Sequence, residues 1–210
     1  MLAFIWDLDG TLIDSYEIIV NSLYQIYKEK GFEIDKKEIL NDAINESVSY
    51  FIMRMEKELG VPFDELKDRY SVISHAEKDN INAMEHAVDI LKFIKDNNIP
   101  NFVFTHRGVT TESVLNNIGI YEYFDEIVTS LNGFNRKPSP DGLNYLIDKY
   151  HLDKNNTYYV GDRKMDIKCA NNAHIKSIMF IPEQSVAKPT GEETLVIKDL
   201  LQIKDIINIQ

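Results

Sequence analysis

The sequence is poor in cysteine. Cys169 is the one cysteine among 210 residues, so no intrachain disulfide forms and a Cys-based zinc cage is out of reach. Positive charge is also in short supply: 34 acidic residues face 23 basic ones, for a formal charge of −11. Nucleic-acid phosphates and anionic membranes both need a cationic surface, so neither is expected as a partner. Long apolar runs are missing too. The run that opens the chain stops at Asp7 and has no cationic lead, unlike a signal peptide or a membrane span. A cytoplasmic protein is the default expectation. What remains is ordinary globular composition, with 44% hydrophobic and 27% charged residues, which excludes disordered, collagen-like and coiled-coil classes. The length fits one domain, or a core with a modest insertion.

Leu2 to Trp6 reads as a strand buried on both faces, ending at Asp7. Asp9-Gly10-Thr11 reads as a tight loop. Asp14 is expected to cap the next helix, with Glu17 as its capping-box partner. From Ser15 to Asn80 the apolar spacing is helical throughout, with breaks at Gly31-Phe32 and Gly60-Val61-Pro62. This segment is expected to be an all-helical inserted domain, residues 15–80. Beyond it strands and helices alternate. Strands are expected near Phe102–Phe104, Glu126–Thr129, Thr157–Val160, Ser177–Ile181 and Leu195–Ile197. Helices are expected at His86–Asn97, Thr111–Asn117, Pro140–Tyr150, Met165–Asn172 and Leu200–Ile207, with Ser139 capping the third of these. Such alternation implies a parallel sheet with right-handed crossovers. The fold class is therefore α/β, with a core of residues 1–14 and 81–210.

In a parallel sheet, ligands bind beyond the carboxyl ends of the strands. The polar residues there are Asp7-Leu8-Asp9-Gly10-Thr11, Thr105-His106-Arg107, Arg136-Lys137-Pro138 and Gly161-Asp162 through Asp166. Asp7 and Asp9, two apart after a strand, can divide nucleophilic attack and proton shuttling. The same pair also occurs as an ordinary Asx-capped turn. Asp162 and Asp166, at i and i+4, would share a helix face and could join Asp7 around one hard cation such as Mg²⁺. Alternatively, they only complement a helix dipole. Lys137 and Thr105 are suited to neutralising and hydrogen-bonding phosphoryl oxygens. The five histidines show no metal-ligand spacing, and Cys169 reads as a buried, inert thiol.

Asp-Leu-Asp-Gly-Thr-Leu, Phe-Thr-His-Arg, Arg-Lys-Pro-Ser-Pro and Val-Gly-Asp-Arg-Lys-Met-Asp-Ile occur in this order, each near a strand end. Together they resemble the haloacid dehalogenase-like (HAD) hydrolase superfamily. The helical insertion resembles the α-helical cap of its phosphoglycolate phosphatase and β-phosphoglucomutase-like branch. The resemblance implies a Rossmann-like core and a Mg²⁺-dependent phosphatase acting on a small phosphate monoester through an aspartyl-phosphate. Asp7 would be the nucleophile and Asp9 the general acid and base. Thr105 and Lys137 would hold the phosphoryl group. Asp7, the Asp9 carbonyl, Asp162 and Asp166 would serve the metal.

Gly10, Thr11, His106 (through its backbone N–H) and Arg107 are expected near the substrate. Arg54 is a candidate cap residue that would read a second anionic group. An acid at Asp9 fits phosphatases rather than dehalogenases, because an alkoxide needs a proton and a halide does not. Ile19 stands where β-phosphoglucomutases carry a cap-hinge histidine, which favours hydrolysis. The alternatives are a phosphotransferase or mutase, and a non-catalytic binding protein on the same fold. The partner expected is a small phosphorylated metabolite, and the chain is expected to be a monomer or weak homodimer.

Overall fold

The computed structural model describes residues 1–208. The chain divides into two compact units, Met1–Asp14 with Asn82–Gln210, and Ser15–Ile81. The first unit carries a six-stranded parallel sheet. Its strands are β1 (Ala3–Trp6), β4 (Asn101–Phe104), β5 (Glu126–Val128), β6 (Thr157–Gly161), β7 (Lys176–Phe180) and β8 (Leu195–Ile197). The order across the sheet is β5-β4-β1-β6-β7-β8. The chain builds outward from β1 on one side through β4 and β5. It then crosses to the other side for β6, β7 and β8. β1 thus sits at the point where the strand order reverses, where open α/β sheets place their ligands.

All four residues of β1 are fully buried, as two-sided cover by helices requires. Trp6 aligns with Val103 of β4 and Val160 of β6, so the three central strands end level. The helices of this unit are α5 (Ala87–Asp96), α6 (Thr111–Asn117), α7 (Asp141–Tyr150), α8 (Lys164–Ala173) and α9 (Ile203–Asn208). Phe102, Phe104 and Tyr159 pack with Leu143, Leu146, Cys169 and Ala170 of α7 and α8. The buried Trp6 ring nitrogen donates to Asn101 Oδ1 at 2.6 Å, satisfying the polar tip that a buried tryptophan carries.

The second unit contains α1 (Tyr16–Glu29), α2 (Lys36–Asn45), α3 (Val48–Leu59) and α4 (Phe63–Ala76). Ile19, Leu23, Ile26 and Tyr27 of α1 form its core with Ile39, Phe51, Met55 and Leu66. α2 and α3 start on polar cap residues. Asp35 accepts from Lys37 N and Ser47 accepts from Tyr50 N. Gly60, at φ +67, closes α3 in the left-handed conformation that glycine adopts at little cost.

Three local expectations are corrected. Asp14 is not a helix cap. It lies in a two-residue strand β2 (Ile13–Asp14), antiparallel to β3 (Asn82–Ala83), and Ser15 is the N-cap residue of α1. Pairing with the returning chain takes the backbone that a cap would need. The third core helix starts at Asp141 with Pro140 as its cap residue, one position later than expected, because Ser139 N is held in a turn by Arg136 O at 3.0 Å. The last helix is preceded by a short 3₁₀ turn, Leu200–Gln202.

Candidate active site

Asp7 follows β1, Thr105 follows β4 and Asp162 follows β6, so adjacent parallel strands deliver all three to one edge. Asp7 N donates to Val160 O at 2.8 Å and Thr105 N to Val128 O at 2.9 Å, extending the sheet by one residue. Lys137 arrives on the loop between β5 and α7, and its side chain is fully buried. Its ammonium lies 2.7 Å from both Asp7 Oδ1 and Asp166 Oδ1. The rings of Phe104 and Tyr159 lie 5.6 and 5.4 Å from the same nitrogen, a favourable environment for a desolvated cation.

Asp166 is heavily engaged. Oδ1 takes Lys137 and, at 3.4 Å, the Tyr159 hydroxyl, while Oδ2 accepts Arg163 N at 3.1 Å. Burial works against its charge, but the Lys137 and Arg163 charges and the Lys137 hydrogen bond outweigh it and hold the carboxyl below its usual range. Asp7 is balanced differently. Burial and the neighbouring Asp166 charge push it up against the pull of Lys137. Its Oδ2 is buried without a hydrogen-bond partner, with Arg163 Nη2 3.8 Å away.

Asp7, Asp162 and Asp166 present carboxylate oxygens within 4.8 Å of one another, and all three side chains are buried. Against them stand Lys137 and Arg163, which leaves one negative charge over. Excess buried charge is costly unless compensated. An all-oxygen donor set with one bare carboxylate oxygen fits a hard divalent cation, Mg²⁺ above all. Thr11 Oγ1 donates to Asp162 Oδ1 at 3.2 Å and holds that carboxylate in place. Asp162 precedes α8 instead of lying on it, so the i, i+4 helix argument is corrected. The two carboxylates meet because the β6-to-α8 turn folds Asp166 back over Gly161. A Cβ at Gly161 would stand 2.4 Å from the Asp166 Cβ, so a side chain there is incompatible with this turn.

The remaining expected residues take varied places. Asp9 is held by Arg107, whose Nε lies 3.1 Å and Nη2 2.6 Å from Asp9 Oδ1. The same guanidinium donates from Nη1 to Thr110 Oγ1 at 2.9 Å. Arg107 was expected near the substrate, and in the structure its guanidinium holds Asp9 and Thr110. Gly10 N and Thr11 N donate within the turn, to Ile13 O and Leu8 O, so neither amide is offered to a ligand here. Thr105 Oγ1 accepts from Arg107 N at 3.1 Å. The His106 ring, discounted from the sequence, accepts the Lys137 backbone N–H on Nε2 at 2.7 Å and so ties β4 to the lysine loop. Tyr159 was also missed. Its burial demands a partner for the hydroxyl, which was a usable signal, and Phe104 O accepts it at 2.9 Å.

Arg54 has partners of its own. Within the helical unit it pairs with Glu38, with Asp42 at 3.0 Å and with Glu58 at 2.6 Å. Three carboxylates compensate its charge, so it clamps α2 to α3 and is not carried forward as a substrate contact. Cys169 is buried and its thiol is pushed up to about 12, as expected of an inert thiol.

The profile of the haloacid dehalogenase-like hydrolases matches residues 4–180. The pyrophosphatase PpaX of Oceanobacillus iheyensis is 27% identical over 98% of this chain and 94% of its own length. The phosphoglycolate phosphatase of Vibrio vulnificus strain YJ016 is 26% identical over 99% and 95%. A haloacid dehalogenase-like family hydrolase from Streptococcus pneumoniae superposes with a TM-score of 0.82 at 20% identity, covering 99% of this chain and 98% of its own, a likeness of fold. With its family profile matched over residues 4–180 of 210, the chain belongs to the haloacid dehalogenase-like hydrolase family.

Proposed function

We propose that this protein is a Mg²⁺-dependent phosphatase of small phosphorylated metabolites that works through an aspartyl-phosphate on Asp7. One observation carries the reading. Lys137 fixes Asp7 through Oδ1 and leaves Oδ2 buried without a hydrogen bond. A carboxylate kept in one orientation with one bare oxygen suits a nucleophile beside a cation. Asp7, the Asp9 carbonyl and Asp162 would hold Mg²⁺, with Asp166 supporting from behind. The metal would supply charge neutralisation at the phosphoryl oxygens.

In the first step an Asp7 carboxylate oxygen attacks phosphorus. The bond to the leaving oxygen breaks, and that oxygen takes a proton from Asp9. In the second, water attacks phosphorus, gives its proton to Asp9, and the Asp7–phosphorus linkage breaks to release phosphate. Lys137 and Thr105 hold the phosphoryl oxygens as charge develops on them. Arg107, forked onto Asp9, fixes where that carboxylate sits. Ile19 is buried in the helical core and offers no polar group to exclude water from the phospho-enzyme, which supports hydrolysis over transfer to a sugar.

Pyrophosphate and phosphoglycolate, named for the relatives from Oceanobacillus iheyensis and Vibrio vulnificus, are the first candidates to try. A phosphate-release screen with Mg²⁺, over these two, sugar phosphates and nucleotides, tests the proposal. Release that stops on chelation supports it, and silence across the whole panel contradicts it.

A further inference from the structure

Beyond Lys137 the loop offers a second cationic feature that the scheme above does not use. The Lys137 backbone N–H can only donate, so His106 Nε2 must accept it, at 2.7 Å. A neutral imidazole then carries its one proton on Nδ1. That N–H faces Arg136 Nη2 at 3.2 Å. A guanidinium has donors only, so the two groups present hydrogens to each other with no acceptor between them. Arg136 forms no ion pair with any carboxylate among the described residues. Arg163, which reaches toward Asp7, adds like charge nearby and, after burial, is the second cause that depresses the Arg136 guanidinium. Arg136 is an exposed cation that stands beside a cluster of three carboxylates yet pairs with none of them, which places it to meet an anion that arrives from outside.

We propose that the His106 Nδ1–H and the Arg136 guanidinium form a second oxyanion subsite beside the phosphoryl site. The preferred substrates are then small phosphates that carry another acidic group, a phosphate or a carboxylate. The inference rests on the phosphatase reading and narrows its substrate class.

The test compares kcat/KM for pyrophosphate, phosphoglycolate and p-nitrophenyl phosphate in Mg²⁺, for the wild type, Arg136→Met and His106→Gln. Glutamine retains an acceptor for the Lys137 amide, and its NH₂ donors sit at the end of the side chain, away from the position of Nδ1–H. Taking p-nitrophenyl phosphate as the one-anion reference, Arg136→Met should lower the relative kcat/KM of the two-anion substrates by about tenfold or more, the worth of one charge-assisted hydrogen bond. His106→Gln should lower it in the same direction. A loss confined to pyrophosphate identifies a phosphate ligand, and one confined to phosphoglycolate identifies a carboxylate. Ratios that stay within about twofold in Arg136→Met, with p-nitrophenyl phosphate still turned over, overturn the subsite alone.

If the wild type hydrolyses nothing, the phosphatase reading fails. The subsite is then judged by calorimetric titration of pyrophosphate against orthophosphate. Weaker pyrophosphate binding in Arg136→Met upholds the subsite, and equal binding overturns it.

Discussion

Lys137 is the residue on which the site turns. It is a buried cation shared by two buried carboxylates and flanked by two aromatic rings. Removing the shared cation leaves its carboxylates uncompensated in a low-dielectric interior. Lys137→Met should therefore cost about 3 kcal/mol or more of stability, read as a lower urea midpoint, besides its effect on turnover. Asp7→Asn removes a charge that burial already opposes, so it should fold with a midpoint near that of the wild type.

His106 gives a pH prediction. Burial first, then the Lys137, Arg136 and Arg163 charges, lower it to about 3, against about 6.5 for a histidine in an unfolded chain. Between those values the unfolded state binds a proton that the folded state refuses, so stability falls as pH drops from about 6.5 toward 3. His106→Gln should flatten that limb of the curve by up to about 1.4 kcal/mol per pH unit, measured by denaturant unfolding across the range. An unchanged slope would mean that the ring does not sit neutral against the Lys137 amide.

At this scale the acids and the lysine were legible, because their types, order and strand-end positions are in the sequence. The Arg107 fork onto Asp9, the Tyr159 hydroxyl and the His106 ring bond were not. Each pairs groups far apart in the chain, and only the folded sheet decides which partner lies within reach.

At the scale of elements, the level ends of β4, β1 and β6 do the positioning, and the turn after β6 places Asp166. That turn needs Gly161. Gly161→Ala should drive the Asp166 side chain off Lys137 and cost about 1–3 kcal/mol as an overpacked contact, with a lower melting temperature as the readout. The strands and helices of the core were readable from their apolar periods. The β2–β3 pair was not. Two residues carry no period, and their pairing joins positions on either side of the whole helical insertion. The cap shift at Asp14 has the same origin, since pairing with Asn82 overrode a local preference, whereas at Ser139 a local turn to Arg136 O moves the helix start.

Across the whole molecule, net charge and site charge have opposite meanings. The −11 belongs to the chain as a whole, while Lys137, Arg107, Arg136 and Arg163 gather around one sheet edge where a small anion can be met. The three-carboxylate cluster predicts a linkage effect. Saturating Mg²⁺, at about 100 times its dissociation constant, should stabilise the fold by about 2.7 kcal/mol, and Asp162→Asn should lose most of that increment. A melting temperature indifferent to Mg²⁺ in the wild type would count against the cluster as a metal centre.

The central claim is that Asp7 is the nucleophile of a phosphatase. Its most direct test is phosphate release from p-nitrophenyl phosphate in Mg²⁺ by the wild type and by folded Asp7→Asn. Steady turnover by the wild type and a fall of at least about a thousandfold in the variant are expected. An Asp7→Asn protein that releases phosphate at the wild-type rate would contradict the account.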